Sequence, residues 1–400
     1  MSKRNSYYKL LIKAVFSLLL LELLSFLALA LYFEEKFNLE IIQEYDLNDW
    51  QKNKITELTQ DSMDFRNFDP FLGWENRSDE KVTDDQNDDT ITYTINSSGF
   101  RGSREYPKKK ASGNLRVLAL GGSFVFGSEV DDSQCWPRIL EGFSSKLEVL
   151  NSGVAGYGLD QSFLSFPHLS REWKPDKVII CYMTMHLQRH VSTFRPFGNS
   201  RAIPYTKPRF LLERNELVLA PNPLNSKEEY LNLVANPNEV IPKLGINDYY
   251  YIRERGRVWD DYGNFVRLLS LAVNRLSVKG RVEEFYKDGY YNTNCEAFRV
   301  TDKLLKRFVD EVKKTGADPT LIILPTRTDL TLITEAEGFK VYDPLLQSLD
   351  RNGMPYLDMA STFEGMDVEE LFEKHGHYSP LGNRLVAKRI IAELQADLQR

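Results

Sequence analysis

From about residue 114 onward, short runs of apolar residues alternate with longer stretches of mixed polarity, the pattern of buried strands separated by amphipathic helices. Leu115 to Leu120 is the first such run and ends in Gly121 and Gly122; a polar–apolar stretch around Ile139 to Ser145 follows. Leu147 to Leu150 is a second strand candidate, closed by NSGVAGYG, and Lys177 to Tyr182 is a third. A long insertion over 190–291, rich in Tyr, Pro, Arg and Asn, interrupts the alternation. Helix-like Thr301 to Lys314 and a fourth strand, Thr320 to Leu324, restore it before Pro325. A fifth strand candidate, Pro355 to Met359, leads to a last helix that Ser379 caps and Pro380 starts, with Leu381, Leu385, Val386, Ile390 and Leu394 on one face. No internal repeat is visible. Strands alternating with helices predict a doubly wound parallel sheet whose ligand site lies at the carboxyl ends of the strands.

The N-terminal pattern is different. Ala14 to Phe33 is almost unbroken apolar sequence, about the roughly 20 residues that a helix needs to cross a bilayer, with Glu22 its one flaw. Lys3, Arg4, Lys9 and Lys13 precede it and Glu34 and Glu35 follow it, so the positive-inside bias places the N-terminus in the cytoplasm. Ala28 and Ala30 also make an A-x-A-like cleavage site, as in a secretory peptide. Either reading exports the remainder of the chain, to the periplasm or the cell surface. The expected organisation is a cytoplasmic N-terminus over 1–13, a transmembrane signal anchor over 14–33 and a juxtamembrane stalk over 34–64. A lead-in with short strands over 65–113 then precedes the main domain over 114–400.

Composition narrows the functional classes. The 400 residues carry a formal net charge of -6, with a pI near 5.6, which gives no electrostatic reason to bind nucleic acid. Cys135, Cys181 and Cys295 are widely separated and lack the paired spacing of zinc or redox sites. Cys181, inside an apolar run, reads as a small buried hydrophobe.

Candidate chemistry falls at the predicted strand ends. Ser123 directly follows the first strand in VLALGGSFVFG, where two glycines permit a tight turn. It is placed either to cap the next helix or to act as a nucleophile. The string lacks the Gly-Lys-Ser/Thr ending of a phosphate-binding loop. In NSGVAGYGLDQ, glycines let backbone amides approach a ligand, as an oxyanion hole or simply as a strand-to-helix turn. His377, in HGHYSPLGNRLVA, precedes the last helix on a loop that a doubly wound fold can bring beside the first strand. A serine hydroxyl needs such a base.

Together these strings resemble the SGNH/GDSL hydrolases. LGGSFVFG is similar to the family's first block, with Gly-Gly-Ser where Gly-Asp-Ser is usual; NSGVAGYG is similar to the second and GHYSPLGNRLVA to the last. INSSGFRG with the basic linker after it is similar to the lead-in of exported bacterial members linked to cell-surface polysaccharides. The resemblance implies a flavodoxin-like three-layer α/β/α fold with about five parallel strands. It also implies Ser123 as nucleophile, His377 as base, and the backbone amides of Ser123 and Gly156 as oxyanion hole, with no metal or organic cofactor. Two departures stand out. Met185 occupies the place of the family's oxyanion Asn, for which His186 or Gln188 is a substitute. His375 and Lys374 occupy the places of its orienting Asp, which leaves Glu373 or a backbone carbonyl to hold His377.

In the insertion, Tyr205, Phe210, Trp259 and Tyr249 to Tyr251 mingle with Arg195, Arg201, Arg209, Arg253 and Arg255. This mixture suits a sugar-binding wall or a second layer packing its own core. The expectation is a membrane-anchored serine esterase or acyltransferase acting on O-acyl groups of an extracytoplasmic glycan or a small ester. The alternative is a non-catalytic module of the same fold that binds glycan or assembly partners.

Overall fold

The computed structural model describes residues 13–17, 20, 21, 24, 47–60, 65–86, 89–199, 201–251, 285–336 and 338–398. Residues 13–17, 20, 21 and 24 are helical. The rest of the 14–33 segment lies outside the described residues, and among those described no helix is long and apolar enough to cross a membrane.

Two short hairpins precede the central sheet: β1 (Arg66–Asp69) with β2 (Gly73–Asn76), and β3 (Glu80–Gln86) with β4 (Asp89–Ile95). Helix α1 (Asp49–Thr59) precedes them, entered by a reciprocal capping box between Asn48 and Gln51. It does not stand apart as a stalk. Its Ile55 and Leu58 are fully buried among Tyr205, Tyr230 and Leu233 of the insertion.

The central sheet is five parallel strands: β5 (Leu115–Gly121), β6 (Leu147–Gly153), β7 (Lys177–Met183), β12 (Asp318–Leu324) and β13 (Tyr356–Asp358). Their spatial order is β13-β12-β7-β5-β6. Numbered within the sheet, that order is 2-1-3-4-5, the flavodoxin-like winding. All five expected strands are present. Their side chains divide by strict alternation: Val117, Ala119, Ile179, Cys181, Ile322 and Leu324 join one core, while Leu118, Leu120, Ile180, Tyr182, Leu321 and Ile323 join the other. That period of two follows from the pleat, and burial of both sets requires helices on both faces.

Helices α4 (Leu159–Trp173), α7 (Glu296–Lys314) and α9 (Asp343–Arg351) cover one face. Helices α3 (Trp136–Glu141) and α10 (Pro380–Leu398) cover the other. Ser379 caps α10 as expected, its Oγ accepting from Gly382 N at 3.2 Å. The chain reverses direction across the sheet between β5 and β7, so the crevice outside their carboxyl ends is the topological switch point where ligands bind in this class of fold.

The insertion forms its own small core. Phe194, Tyr205, Leu224, Tyr230, Leu233, Val240, Ile241 and Leu244 pack with Trp74 and Tyr157. Tyr205, Phe210 and Arg209 are buried, and Arg209 is ion-paired to Glu296, so these three cannot face a sugar. Trp259, Arg253 and Arg255 lie outside the described residues.

Candidate active site

Ser123 is the first residue of a single helical turn, α2 (Ser123–Phe126), that begins one residue beyond β5. Strand β6 ends level with β5, and Val154 N–H donates to Gly121 O at 3.1 Å, which ties the second glycine-rich turn to the Ser123 loop. Gly153 permits this contact: a Cβ there would stand 2.2 Å from Phe126 N. Ser123 is nearly buried.

His377 sits on a tight loop before α10. Phe372 and Tyr378 form an antiparallel bridge across it, and Gly376 N–H donates to Glu373 O at 2.9 Å. The ring packs against Phe124 with centroids 5.1 Å apart. His377 Nε2 lies 2.9 Å from Ser123 Oγ, a hydrogen bond that joins residues 254 positions apart. The fold therefore brings together the two residues on which the sequence argument centred.

The orienting carboxylate is not Glu373. Glu373 closes the His377 loop with its backbone, its N–H donating to His377 O at 2.7 Å and its carbonyl accepting from Arg327 Nη2 at 2.7 Å. His377 Nδ1 instead lies 2.6 Å from Glu129 Oε2. The same carboxylate accepts the N–H of His377 at 3.0 Å and of His375 at 2.8 Å. One side chain thus fixes the loop and the ring together. Because Nδ1 carries a single proton, Glu129 leaves no place there for Glu373 or for a backbone carbonyl. Burial alone would raise the Glu129 carboxyl, but hydrogen bonds from the His377 ring and from the His375 and His377 amides outweigh it and hold the group below its ordinary range.

Glu129 has φ of +67°, an uncommon backbone state for a residue with a side chain. The lead-in holds it there: Glu129 N–H donates to Tyr93 Oη at 3.0 Å, and Arg101 Nη2 donates to Val130 O at 3.1 Å. The strands around INSSGFRG thus form part of the site's scaffold. On the other side, Trp74 Nε1 donates to Ala155 O at 3.0 Å and Asn76 Nδ2 to Gly153 O at 2.9 Å, which anchors the second turn.

Gly156 lies in that turn, closed by Tyr157 N–H donating to Val154 O at 3.1 Å, with φ of +93°. Among the described residues neither Ser123 N–H nor Gly156 N–H has a protein acceptor, so both remain available to an incoming oxygen. Beyond β7 the chain enters a 3-10 helix, Thr184–Val191. Met185, in the place of the family Asn, is 51% exposed and is no donor. Of its two candidate substitutes, Gln188 turns to Tyr250 and Tyr286 of the insertion, whereas His186 lies against the Ser123 loop. A Cβ on Gly122 would stand 3.1 Å from His186 Cε1. His186 Nε2 accepts from Arg189 Nη1 at 2.8 Å, which leaves the imidazole proton on Nδ1. Burial, then the Arg189 charge beside it, pushes this imidazole well below its usual range, so it is neutral.

All three cysteines are free thiols; Cys135 and Cys181 are buried. Burial raises both of these thiols, which makes them poor nucleophiles.

Neither a protein-family model nor a curated protein matches the sequence. Solved structures do. The chain is similar to a protein provisionally assigned to the lipolytic G-D-S-L family from Desulfitobacterium hafniense DCB-2, at 17% identity and a TM-score of 0.33, over 69% of this chain and 97% of that one. It is similar to a member of the lipolytic protein G-D-S-L family from Veillonella parvula DSM 2008, at 12% identity and a TM-score of 0.34, over 70% and 97%. It is also similar to a two-domain esterase active on acetylated mannans, at 11% identity and a TM-score of 0.33, over 72% of this chain and 50% of that one. These are likenesses of fold, at scores too low to bear on activity. The fold itself rests on the strand order of the central sheet, and the chemistry on the Ser123–His377–Glu129 geometry.

Proposed function

We propose that this protein is a serine esterase or acyltransferase of SGNH type that removes or moves O-acyl groups on an extracytoplasmic glycan. The observation that carries the reading is the continuous hydrogen-bonded line from Glu129 Oε2 through the His377 ring to Ser123 Oγ. A serine hydroxyl is a weak nucleophile until a base takes its proton. Glu129 holds Nδ1 protonated, so that Nε2 presents its lone pair to Ser123, and it stabilises the imidazolium that forms.

Ser123 Oγ attacks the ester carbonyl carbon while its proton passes to His377 Nε2. The carbonyl π electrons move to oxygen, where the Ser123 and Gly156 amides donate. Collapse of this intermediate breaks the bond to the sugar oxygen, which leaves with the proton from Nε2. Water, or the hydroxyl of an acceptor sugar, then attacks the acyl-enzyme with the same histidine as base. The proton ends on Ser123, and the acyl group leaves as a carboxylic acid or as a new ester.

A glycan-binding module of the same fold is the rival reading, motivated by Met185 and by His375 and Lys374 in the places of the usual acid. An oriented His377 within hydrogen-bond reach of Ser123 supports catalysis over that rival. The apolar segment over 14–33, with lysines and arginine before it and glutamates after it, supports anchoring with the main domain outside the cytoplasm.

The test is the burst of p-nitrophenol from p-nitrophenyl acetate with the full chain, beside its Ser123→Ala and His377→Ala variants. A stoichiometric burst in the wild type alone is expected. Equal background release from all three, repeated with an acetylated oligosaccharide, would leave the binding module as the better reading.

A further inference from the structure

Arg189 and Arg195 stand beside the proposed oxyanion position, and among the described residues neither forms an ion pair with a carboxylate. Arg189 Nη1 donates to Tyr157 O at 3.2 Å and to His186 Nε2 at 2.8 Å. The same Tyr157 O would lie 2.8 Å from a Cβ on Gly122, the residue before Ser123. A Cβ on Gly156 would lie 3.7 Å from Arg195 Nη1. Both guanidiniums are therefore within a residue or two of the groups assigned to the acyl carbonyl.

The nearby acids are committed elsewhere. Asp160 is paired with buried Lys207. Asp248 Oδ2 accepts from Ser192 Oγ at 2.8 Å and from Phe194 N at 2.9 Å. Among the described residues Arg195 makes no side-chain hydrogen bond or ion pair. Burial pushes its guanidinium down to about 10. Burial and the like charge of Arg195 push Arg189 down as well. The charge of Asp160 reaches Arg189 but is paired with Lys207, so two half-buried cations that repel one another become more favourable when an anion bridges them. Each retains N–H groups in the planar fork that takes an oxyanion two-pronged.

We propose that Arg189 and Arg195 form an anion subsite next to Ser123, so that the preferred glycan carries a carboxylate or phosphate group close to the acylated hydroxyl. The inference builds on the esterase reading by naming the substrate class, an O-acylated acidic glycan in place of a neutral one. It also accounts for the arginines where a neutral sugar would call for aromatic faces.

The test is calorimetric titration of the full chain carrying Ser123→Ala with trigalacturonate, mannose 6-phosphate and mannotriose. At least one charged sugar should bind about tenfold or more tighter than mannotriose, the size expected for one charge-assisted contact. Adding Arg195→Gln should abolish that advantage and Arg195→Lys should retain part of it, with unchanged thermal unfolding showing that the fold survives. Which charged sugar binds more tightly identifies the group as carboxylate or phosphate. Equal binding of charged and neutral sugars, no binding of either charged sugar, or an advantage indifferent to Arg195→Gln would overturn the subsite. Because this protein lacks its nucleophile, binding of an acidic sugar together with no Ser123-dependent burst in the wild type would sink the esterase reading and leave the subsite standing.

Discussion

Glu129 and His377, 248 positions apart, are joined twice: Oε2 accepts the ring Nδ1–H at 2.6 Å and the backbone N–H at 3.0 Å. The carboxylate that meets His377 therefore sits six residues beyond Ser123, on the loop leaving α2, and not on the loop that carries the histidine. It orients the base and holds the base's loop with one group.

Replacing Glu129 by Ala should reduce kcat for ester hydrolysis by roughly ten-thousandfold, the size of the loss when a triad loses its carboxylate. Glu373→Ala should lose no more than about threefold, since it leaves the Nδ1 contact in place. Steady-state kinetics on the two variants distinguish the assignments, and a larger loss at Glu373 would return the role to that residue.

Acid should loosen the His377 loop through the same contact. The folded state holds the Glu129 carboxyl below its ordinary range, so the unfolded chain binds the proton more readily and stability rises with pH in this window. The contribution is complete above the unfolded value of about 4.3 and is lost as pH falls through the lower folded value. Thermal unfolding followed from pH 6 to pH 3, as an order-of-magnitude window around that value, should show a smaller acid-induced drop for Glu129→Gln than for the wild type.

Tyr93→Phe tests the lead-in as a scaffold for the acid. The change leaves Glu129 N–H without its acceptor, and a buried unpaired donor costs about 1–3 kcal/mol. The expected outcome is a lower unfolding free energy and a lower kcat, with KM little changed, because Tyr93 acts by positioning Glu129. A change in KM alone would speak against that role.

Gly156→Ala should impair the oxyanion turn. The residue has φ of +93°, and an added Cβ would meet Trp74 Cζ2 at 3.1 Å. The strained conformation costs about 1–2 kcal/mol. Displacing one oxyanion donor lowers kcat by about a hundredfold to a thousandfold. Single-turnover acylation rates check this directly, and acylation at the wild-type rate would remove Gly156 from the hole.

Much of this was legible in local sequence. The parallel sheet could be read because strands buried on both faces must be apolar at successive positions, as VLAL and VIICY are. Ser123 and His377 could be found because each lies at a strand end or before a capped helix, in strings whose glycines and proline constrain the backbone. The insertion was less readable. Aromatic and arginine content is the same whether rings face a sugar or one another, and only packing showed Tyr205, Phe210 and Arg209 to be interior.

The acid was not legible near His377, because a hydrogen bond depends only on distance in space and Glu129 is remote from His377 along the chain. The available signal was weak: a glutamate in the loop FGSEV, amid glycine and serine, just after the nucleophile's helical turn. What the amino-acid sequence determined by itself was the order of the sheet's strands and helices and the placing of Ser123 and His377 beside them, since those follow from periodicity and local backbone chemistry. What only the tertiary structure decided was which carboxylate meets His377 Nδ1, which side chain beyond β7 faces Gly122, and that Arg189 and Arg195 meet beside the second glycine-rich turn. Each of those depends on close contact between segments whose separation along the chain says nothing about their separation in the fold.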